Sequence, residues 1–373
     1  MTMTSSESQF FSLMRAALWG EPVAFKGDVD WKGVMDIAQH HATNVLVADV
    51  ASRLPEGSRP SEARLAKMKG AMRSNLFVQL ESRQMLIKGV TALREIGIEP
   101  VLLKGFGLAR LYPNSVLRQF GDIDLFIGLE HFHEACAMVR SLPGAYTWCM
   151  EVDSGRHYNV EFGKTVFEIH RVSADVLDPK ENKVYADIER DGLFENTQRV
   201  DLDGFEISIP SKEFQAFFTF YHAWHHFLTT GVGWRQLNDM ALTLHAYRDG
   251  LDLERLHRWL VSLHLMKPWQ AFGYLLVDCL GLPKEEMPFY DGGCRCTARR
   301  LYRNVMETGN FNRLSRFKQR KSKRRFWHKI HSFIGVFVDF FYRARVFPVA
   351  AFREMRTSLR YALAKGRKSG KNN

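Results

Sequence analysis

Two aspartates separated by a single residue are the part of the sequence best suited to chemistry. Asp122 and Asp124 alternate with Ile123, Leu125 and Ile127, so the segment is predicted to be a β-strand with both carboxylates on one face. Carboxylates this close repel each other unless a cation lies between them, and a hard divalent cation is the preferred bridge. The pair therefore predicts a site for Mg²⁺ or Mn²⁺.

A lysine and glycine segment before the aspartates is suited to binding phosphate. A short apolar strand at 101–103 is followed by Lys104, Gly105 and Gly107. Glycine lets backbone N–H groups approach a phosphate closely, and the lysine adds a positive charge. A phosphate-binding turn beside a metal-binding strand predicts phosphoryl or nucleotidyl transfer.

The motifs of residues 98–124 resemble a known family. They are Leu-Lys-Gly at 103–105, Leu-Tyr-Pro at 111–113, Leu-Arg at 117–118 and Gly-Asp-Ile-Asp-Leu at 121–125. This pattern is similar to the uncharacterised nucleotidyltransferase family of the polymerase β-type superfamily. The resemblance implies a small mixed sheet, a divalent metal and an NTP such as ATP as co-substrate. The superfamily's Gly-Gly or Gly-Ser pair is replaced here by Gly105-Phe106.

The resemblance also implies a third acidic residue on a later strand, and Glu168 is the best candidate. Glu168 and His170 share one face of a predicted strand at 166–170, and Glu168 would lie near the aspartate pair if this strand is adjacent to theirs. Glu168 would complete the set of metal ligands, or accept a proton from the attacking hydroxyl. His170 is assigned to the substrate cleft. Glu161 and Glu151 are the alternatives for the third acid.

Other residues of the same region are predicted to bind the nucleotide. Lys104 or Arg118 would neutralise the charge that develops on pyrophosphate, and Gly105, Gly107 and Gly121 would allow close approach. The simpler interpretations are a surface arginine at 118 and a turn glycine at 121.

A second group of candidate residues follows in a helical region. His222 and His226 are four residues apart on one predicted helix, and Arg235 and Asp239 lie on the next, which is predicted at 234–247. The histidine spacing suits a metal, but no third ligand is near in sequence, so zinc is disfavoured. The resemblance implies that these residues line the substrate cleft or tie the helices to the sheet. Simple packing between helices is the alternative.

The chain divides into four predicted parts with an α+β fold. Helical segments at 1–95 and 211–310 flank a nucleotidyltransferase-like core at 96–210, in which short strands form a mixed sheet, including strands predicted at 146–152, 157–162, 166–170 and 205–209. A basic, aromatic tail occupies 311–373. The five cysteines have no disulfide-type spacing and no apolar run is long enough to span a membrane, so a cytoplasmic protein is expected.

The positive charge of the 373-residue chain is concentrated in the tail. The net charge is +11, and the tail holds eighteen lysines and arginines against two acidic residues, so the first 310 residues carry −5. Three interpretations of the segment 313–345 stay open. Its aromatic stripe packs on the protein, or the segment contacts a membrane surface, or it contacts RNA, in that order of preference.

The sequence thus predicts a metal-dependent enzyme that moves a nucleoside monophosphate from an NTP to an acceptor hydroxyl. A sugar or another small molecule is favoured as the acceptor over RNA, because the first 310 residues are mildly acidic. The alternatives are a non-catalytic nucleotide-binding module, a toxin-like enzyme that modifies tRNA, and an enzyme of this fold that moves phosphate or pyrophosphate.

Overall fold

The computed structural model describes residues 1–23, 25, 27–147, 156–176, 178–310 and 340–357. It shows an α+β protein, as predicted. The strands are β1 (Val101–Leu102), β2 (Asp122–Phe126), β3 (His157–Phe162), β4 (Thr165–His170), β5 (Gln198–Asp201) and β6 (Glu206–Ile209). The helices within the described ranges include α1 (Ser5–Trp19), α2 (Trp31–His40), α3 (Asn44–Arg53), α4 (Glu62–Glu95), α5 (Phe106–Ala109), α6 (Phe132–Ser141), α7 (Pro179–Arg190), α8 (Lys212–Thr229), α9 (Trp234–Tyr247), α10 (Leu253–Ser262), α11 (Met266–Asp278) and α12 (Arg295–Thr308).

The six strands within the described ranges form one mixed sheet in the order β3-β4-β2-β1-β6-β5. β2 runs parallel to β4 and antiparallel to β1, which in turn runs parallel to β6. The outer strands β3 and β5 are antiparallel to their neighbours. The aspartate strand β2 and the Glu168 strand β4 therefore lie side by side within the sheet.

The two faces of the sheet have different partners. Ile123 and Phe167 face a core formed with α4 and α6, which contribute residues such as Leu86 and Phe132. Gly89 on α4 makes room for Phe167, because a Cβ atom at position 89 would lie 2.7 Å from that aromatic ring. Strand alternation directs the acidic residues to the opposite face, which lies towards α8 and α9.

The helices before and after the sheet share a hydrophobic core. Phe11 of α1 packs edge-on against Trp234 of α9, with the ring centroids 4.6 Å apart. Both are fully buried, in a cluster with residues from the helices on either side of the sheet region. The proposed division of the chain into four parts stays a prediction.

Two strand assignments depart from expectation. β5 was not predicted, because Gln198–Asp201 has a single apolar residue and takes its place by pairing with β6. A strand was expected at 146–152, where Tyr146 makes an isolated bridge to Glu161 and residues 148–152 lie outside the described ranges.

Most of the basic tail lies outside the described residues. In the described part, 348–357 is helical, and Phe347 packs its ring against Trp224 and Phe227 of α8. Within the described ranges, no helix combines the length and the apolar character needed to cross a bilayer.

Candidate active site

The structure brings the three predicted acids together. β2 and β4 pair in parallel with Asp124 opposite Glu168, and Asp122 lies on the same face because side chains alternate along a strand. One carboxylate oxygen from each of Asp122, Asp124 and Glu168 lies within 4.8 Å of the others. We call these residues the three-carboxylate site.

Asp124 is the buried centre of this site. Its carboxylate is fully shielded from solvent, and its Oδ1 lies 2.9 Å from Lys104 Nζ and 3.1 Å from His170 Nε2. Its Oδ2 is buried with no hydrogen-bond partner among the described residues. A buried carboxylate oxygen without a partner is costly unless a cation neutralises it. The oxygen-only ligand set with one such atom fits Mg²⁺ or Mn²⁺.

The charges around the acids keep Glu168 ionised. Burial alone would raise the pKa of Glu168, but the hydrogen bond from His170 and the charge of Lys104 outweigh it and lower this pKa to about 2. Burial likewise disfavours the charged form of Lys104, yet Asp124, Asp122 and Glu168 raise its pKa above the usual value. Near neutral pH the site therefore presents an ionised Glu168 and a charged lysine.

A cavity of about 160 Å³ lies between this face of the sheet and helices α8 and α9. Asp122 and Glu168 line it, whereas Asp124 is fully buried and is not part of the lining. Phe120 and Gln236 also line the cavity, and neither was predicted from the sequence. The volume is below the roughly 300–1,000 Å³ of pockets that bury a drug-sized ligand. It suits the phosphate end of a nucleotide better than a whole one.

The three predicted nucleotide-binding glycines occupy different environments. Gly105 has φ +66°, which an L side chain rarely adopts, and it lines the cavity beside Lys104. Gly107 is buried against Leu102 and Ile209, away from the cavity lining. Gly121 is exposed, with nothing within 4 Å of where a Cβ atom would stand, and its carbonyl accepts from the N–H of Val166. Contact of Gly107 and Gly121 with a nucleotide stays a prediction.

Arg118 and Asp239 form a buried ion pair at the cavity wall. Arg118 Nε and Nη2 donate to the two carboxylate oxygens of Asp239 at 2.7 and 2.8 Å. Arg118 Nη1 also donates to the carbonyl of Gly105, and Tyr112 donates its hydroxyl proton to Asp239. Helix α9 is thereby tied to the glycine turn. Arg118 is not the surface arginine considered above, since its side chain is only 4% exposed.

Arg235 is a half-buried arginine at the cavity, and its hydrogen bonding is incomplete. Its Nη1 donates to the carbonyl of Gln119 at 2.8 Å, while its Nε is buried without a partner among the described residues. Burial and the neighbouring charge of Arg118 lower the pKa of Arg235. An anion in the cavity would relieve both effects, which fits a phosphate group.

His222 and His226 line the cavity from α8, opposite the acids. Burial and the charge of Lys104 lower the pKa of His226 to about 3 and take the pKa of His222 well below its usual value, so both rings are neutral. Their ring centroids are 4.4 Å apart, and His226 Nδ1 lies 2.7 Å from Thr230 Oγ1. Within the described residues, the groups close enough to share a metal ion include neither histidine.

Sequence reasoning missed His157 and Arg156 at the edge of the site. His157 on β3 is the cross-strand partner of His170, and Arg156 lines the cavity. The tight hairpin between β3 and β4 could have revealed this, because Phe162 pairs with Thr165 and the register then runs back to His157 and His170.

Comparison with known proteins supports one family. No curated protein matches the chain. Among solved structures, the chain is similar to an antigenic nucleotidyltransferase-like protein from Paracoccidioides brasiliensis, with 14% identity over 56% of this chain and 92% of that chain. The TM-score of 0.30 adds nothing to the fold described above. The profile of a family described as "Uncharacterised nucleotidyltransferase" matches residues 27–281, and the chain belongs to that family.

Proposed function

We propose that the protein is a metal-dependent nucleotidyltransferase that moves a nucleoside monophosphate from an NTP to the hydroxyl of a small acceptor such as a sugar. The observation that carries the proposal is the three-carboxylate site beside a cavity with a positively charged wall. The buried, unpartnered Asp124 Oδ2 supports a cation at that site, and membership of the family supports the reaction class.

Asp122, Asp124 and Glu168 would hold one or two Mg²⁺ or Mn²⁺ ions. When bound, these ions supply charge neutralisation at the phosphates and favour loss of the acceptor hydroxyl proton. A carboxylate with a pKa of about 2 is a poor proton acceptor near neutral pH, so we assign Glu168 to metal binding and not to general base catalysis.

The cationic side chains would hold the triphosphate. Lys104 lies beside the acids, and Arg235 offers an unpartnered Nε at the cavity wall. Both can bind phosphate oxygens and stabilise the pyrophosphate that leaves. Arg118 already forms an ion pair with Asp239, so we assign it to positioning the glycine turn. It does so through its hydrogen bond to the carbonyl of Gly105. The neutral rings of His222 and His226 would face the acceptor from α8.

The test is transfer of a labelled nucleoside monophosphate from each NTP to components of a cell extract, read by mass and by pyrophosphate release. Removing a metal ligand should cost several kcal/mol of transition-state stabilisation. We expect Asp122→Asn and Asp124→Asn to reduce transfer by roughly 100-fold or more. The control is Asp187→Asn on the exposed side of α7, which should keep wild-type activity.

Thermal stabilisation by NTP and Mg²⁺ distinguishes the proposed enzyme from a non-catalytic binding module. Equal stabilisation of the wild type and the Asp122→Asn variant, with no transfer by either, would identify a non-catalytic binding module. Transfer to tRNA in place of a small molecule would overturn the acceptor class and leave the reaction class intact.

A further inference from the structure

A second group of metal-binding side chains adjoins the three-carboxylate site. His157 of β3 and His170 of β4 are paired across the antiparallel ladder, with their ring centroids 5.1 Å apart. One ligand atom from each of His157, Glu168 and His170 lies within 4.8 Å of the others. We call these three residues the His-Glu-His site. It differs from the three-carboxylate site in offering two nitrogen donors, and the two sites share Glu168.

His170 has the hydrogen bonding of a metal ligand. Its side chain is buried, and its Nε2 lies 3.1 Å from Asp124 Oδ1 and 3.4 Å from Glu168 Oε2. Its Nδ1 is buried with no partner among the described residues. Metal-binding histidines commonly donate one ring N–H to a carboxylate, which fixes the ring and leaves the other nitrogen for the metal. Nε2 is occupied by the two carboxylates, so we infer that the unpartnered Nδ1 is the ligand atom.

His157 already presents a lone pair to a cation. Its Nδ1 lies 3.1 Å from Nε of Arg156, which can only donate in this contact. Arg156 also lies 3.9 Å from Asp175, an exposed carboxylate that would keep the guanidinium paired if it left the histidine. A metal ion would take the place of Arg156 at Nδ1.

We propose that His157, Glu168 and His170 bind a divalent transition-metal ion of the Mn²⁺ to Zn²⁺ series. Two imidazoles and one carboxylate form a ligand set that binds such ions, whereas Mg²⁺ prefers oxygen ligands alone. Sharing Glu168 would place this ion next to the one held by the aspartates. The use of the ion in transfer rests on the proposed function, while its binding does not.

The experiment titrates the full-length protein with Co²⁺ in an excess of Mg²⁺ and without NTP. Mg²⁺ competes for the oxygen ligands, and Co²⁺ reports nitrogen coordination through its visible absorption. We expect one equivalent of Co²⁺ to bind. His157→Ala should weaken binding roughly 10-fold or more, because even partners of metal ligands contribute 10–100-fold to affinity. His133→Ala, an exposed histidine on α6, should leave binding unchanged.

Absence of Co²⁺ binding that survives Mg²⁺, or unchanged affinity in His157→Ala, would overturn the inference. If His157→Ala fails to fold, His157→Phe keeps a ring against His170 without a ligand nitrogen. In the wild type, proton signals of two histidine rings shifted by bound Co²⁺ would support the same ligands, and their absence would exclude them. Because no NTP is used, the inference and the proposed function can fail separately.

Discussion

The cleft contains the ion pairs Lys104–Asp124 and Arg118–Asp239, and the sequence reveals their members but not which partner each one contacts. Asp122, Asp124 and Glu168 were predictable, because alternation along two strands fixes the face on which they lie. The contact between Lys104 and Asp124 was not, since it depends on β1 pairing with β2 so that Leu102 lies opposite Leu125. The sequence predicts that Lys104 binds phosphate, and in this structure its Nζ forms an ion pair with Asp124.

The pair of Arg118 and Asp239 makes a test at the level of residues. Both side chains are under 10% exposed, so Asp239→Asn would leave a buried guanidinium without a counter-charge. We expect this change to lower the free energy of unfolding by about 3–5 kcal/mol, measured by denaturant titration. Asp187→Asn removes the partner of Arg190 from an exposed pair and should cost at most about 1 kcal/mol.

The double variant Arg118→Met with Asp239→Leu sharpens this comparison. Replacing both charges removes the uncompensated ion, so the double variant should be more stable than Asp239→Asn alone. Equal losses from Asp239→Asn and Asp187→Asn would show that the buried pair does not tie α9 to the glycine turn.

Among the secondary-structure elements, the aspartate strand β2 is easier to recognise from the sequence than the other strands of the sheet. β2 follows from alternating Ile, Leu and Asp residues, and α9 begins and ends where its pattern predicts. β5 has one apolar residue, Val200, and is defined by pairing with β6. The position of His157 beside His170 follows from the register of the β3–β4 hairpin. The pattern of each strand taken alone does not predict that register.

Two glycines at the start of neighbouring elements give a matched test of backbone strain. Gly105 precedes α5 with φ +66°, so Gly105→Ala should cost about 1–2 kcal/mol of stability. Gly121 precedes β2 with an ordinary φ and open space around it, so Gly121→Ala should be neutral or stabilise by up to about 1 kcal/mol. Thermal and denaturant unfolding measure both, and equal losses would contradict the assignment of strain to the 104–107 turn.

At the scale of the whole molecule, the helices that precede the sheet in the sequence and those that follow it depend on one another through the shared core. His41, directly after α2, is 1% exposed, with its ring near Phe10 of α1 and Trp234 of α9. The amphipathic pattern of each helix predicted its buried side, but not which other helix would cover it, because packing partners are set by the fold of the entire chain.

The burial of His41 in that shared core predicts how stability depends on pH. Burial lowers the pKa of His41 to about 3, against an unfolded value near 6.5. Between these values the unfolded chain takes up a proton at this residue and the folded chain does not, so stability falls as the pH falls from 6.5. His41→Phe should reduce the slope of unfolding free energy against pH by up to about 1.4 kcal/mol per unit between pH 4 and 6. The control His133→Phe, on the exposed side of α6, should keep the wild-type slope. An unchanged slope in His41→Phe would mean that the contact of His41 with α1 and α9 opens before the rest of the protein unfolds.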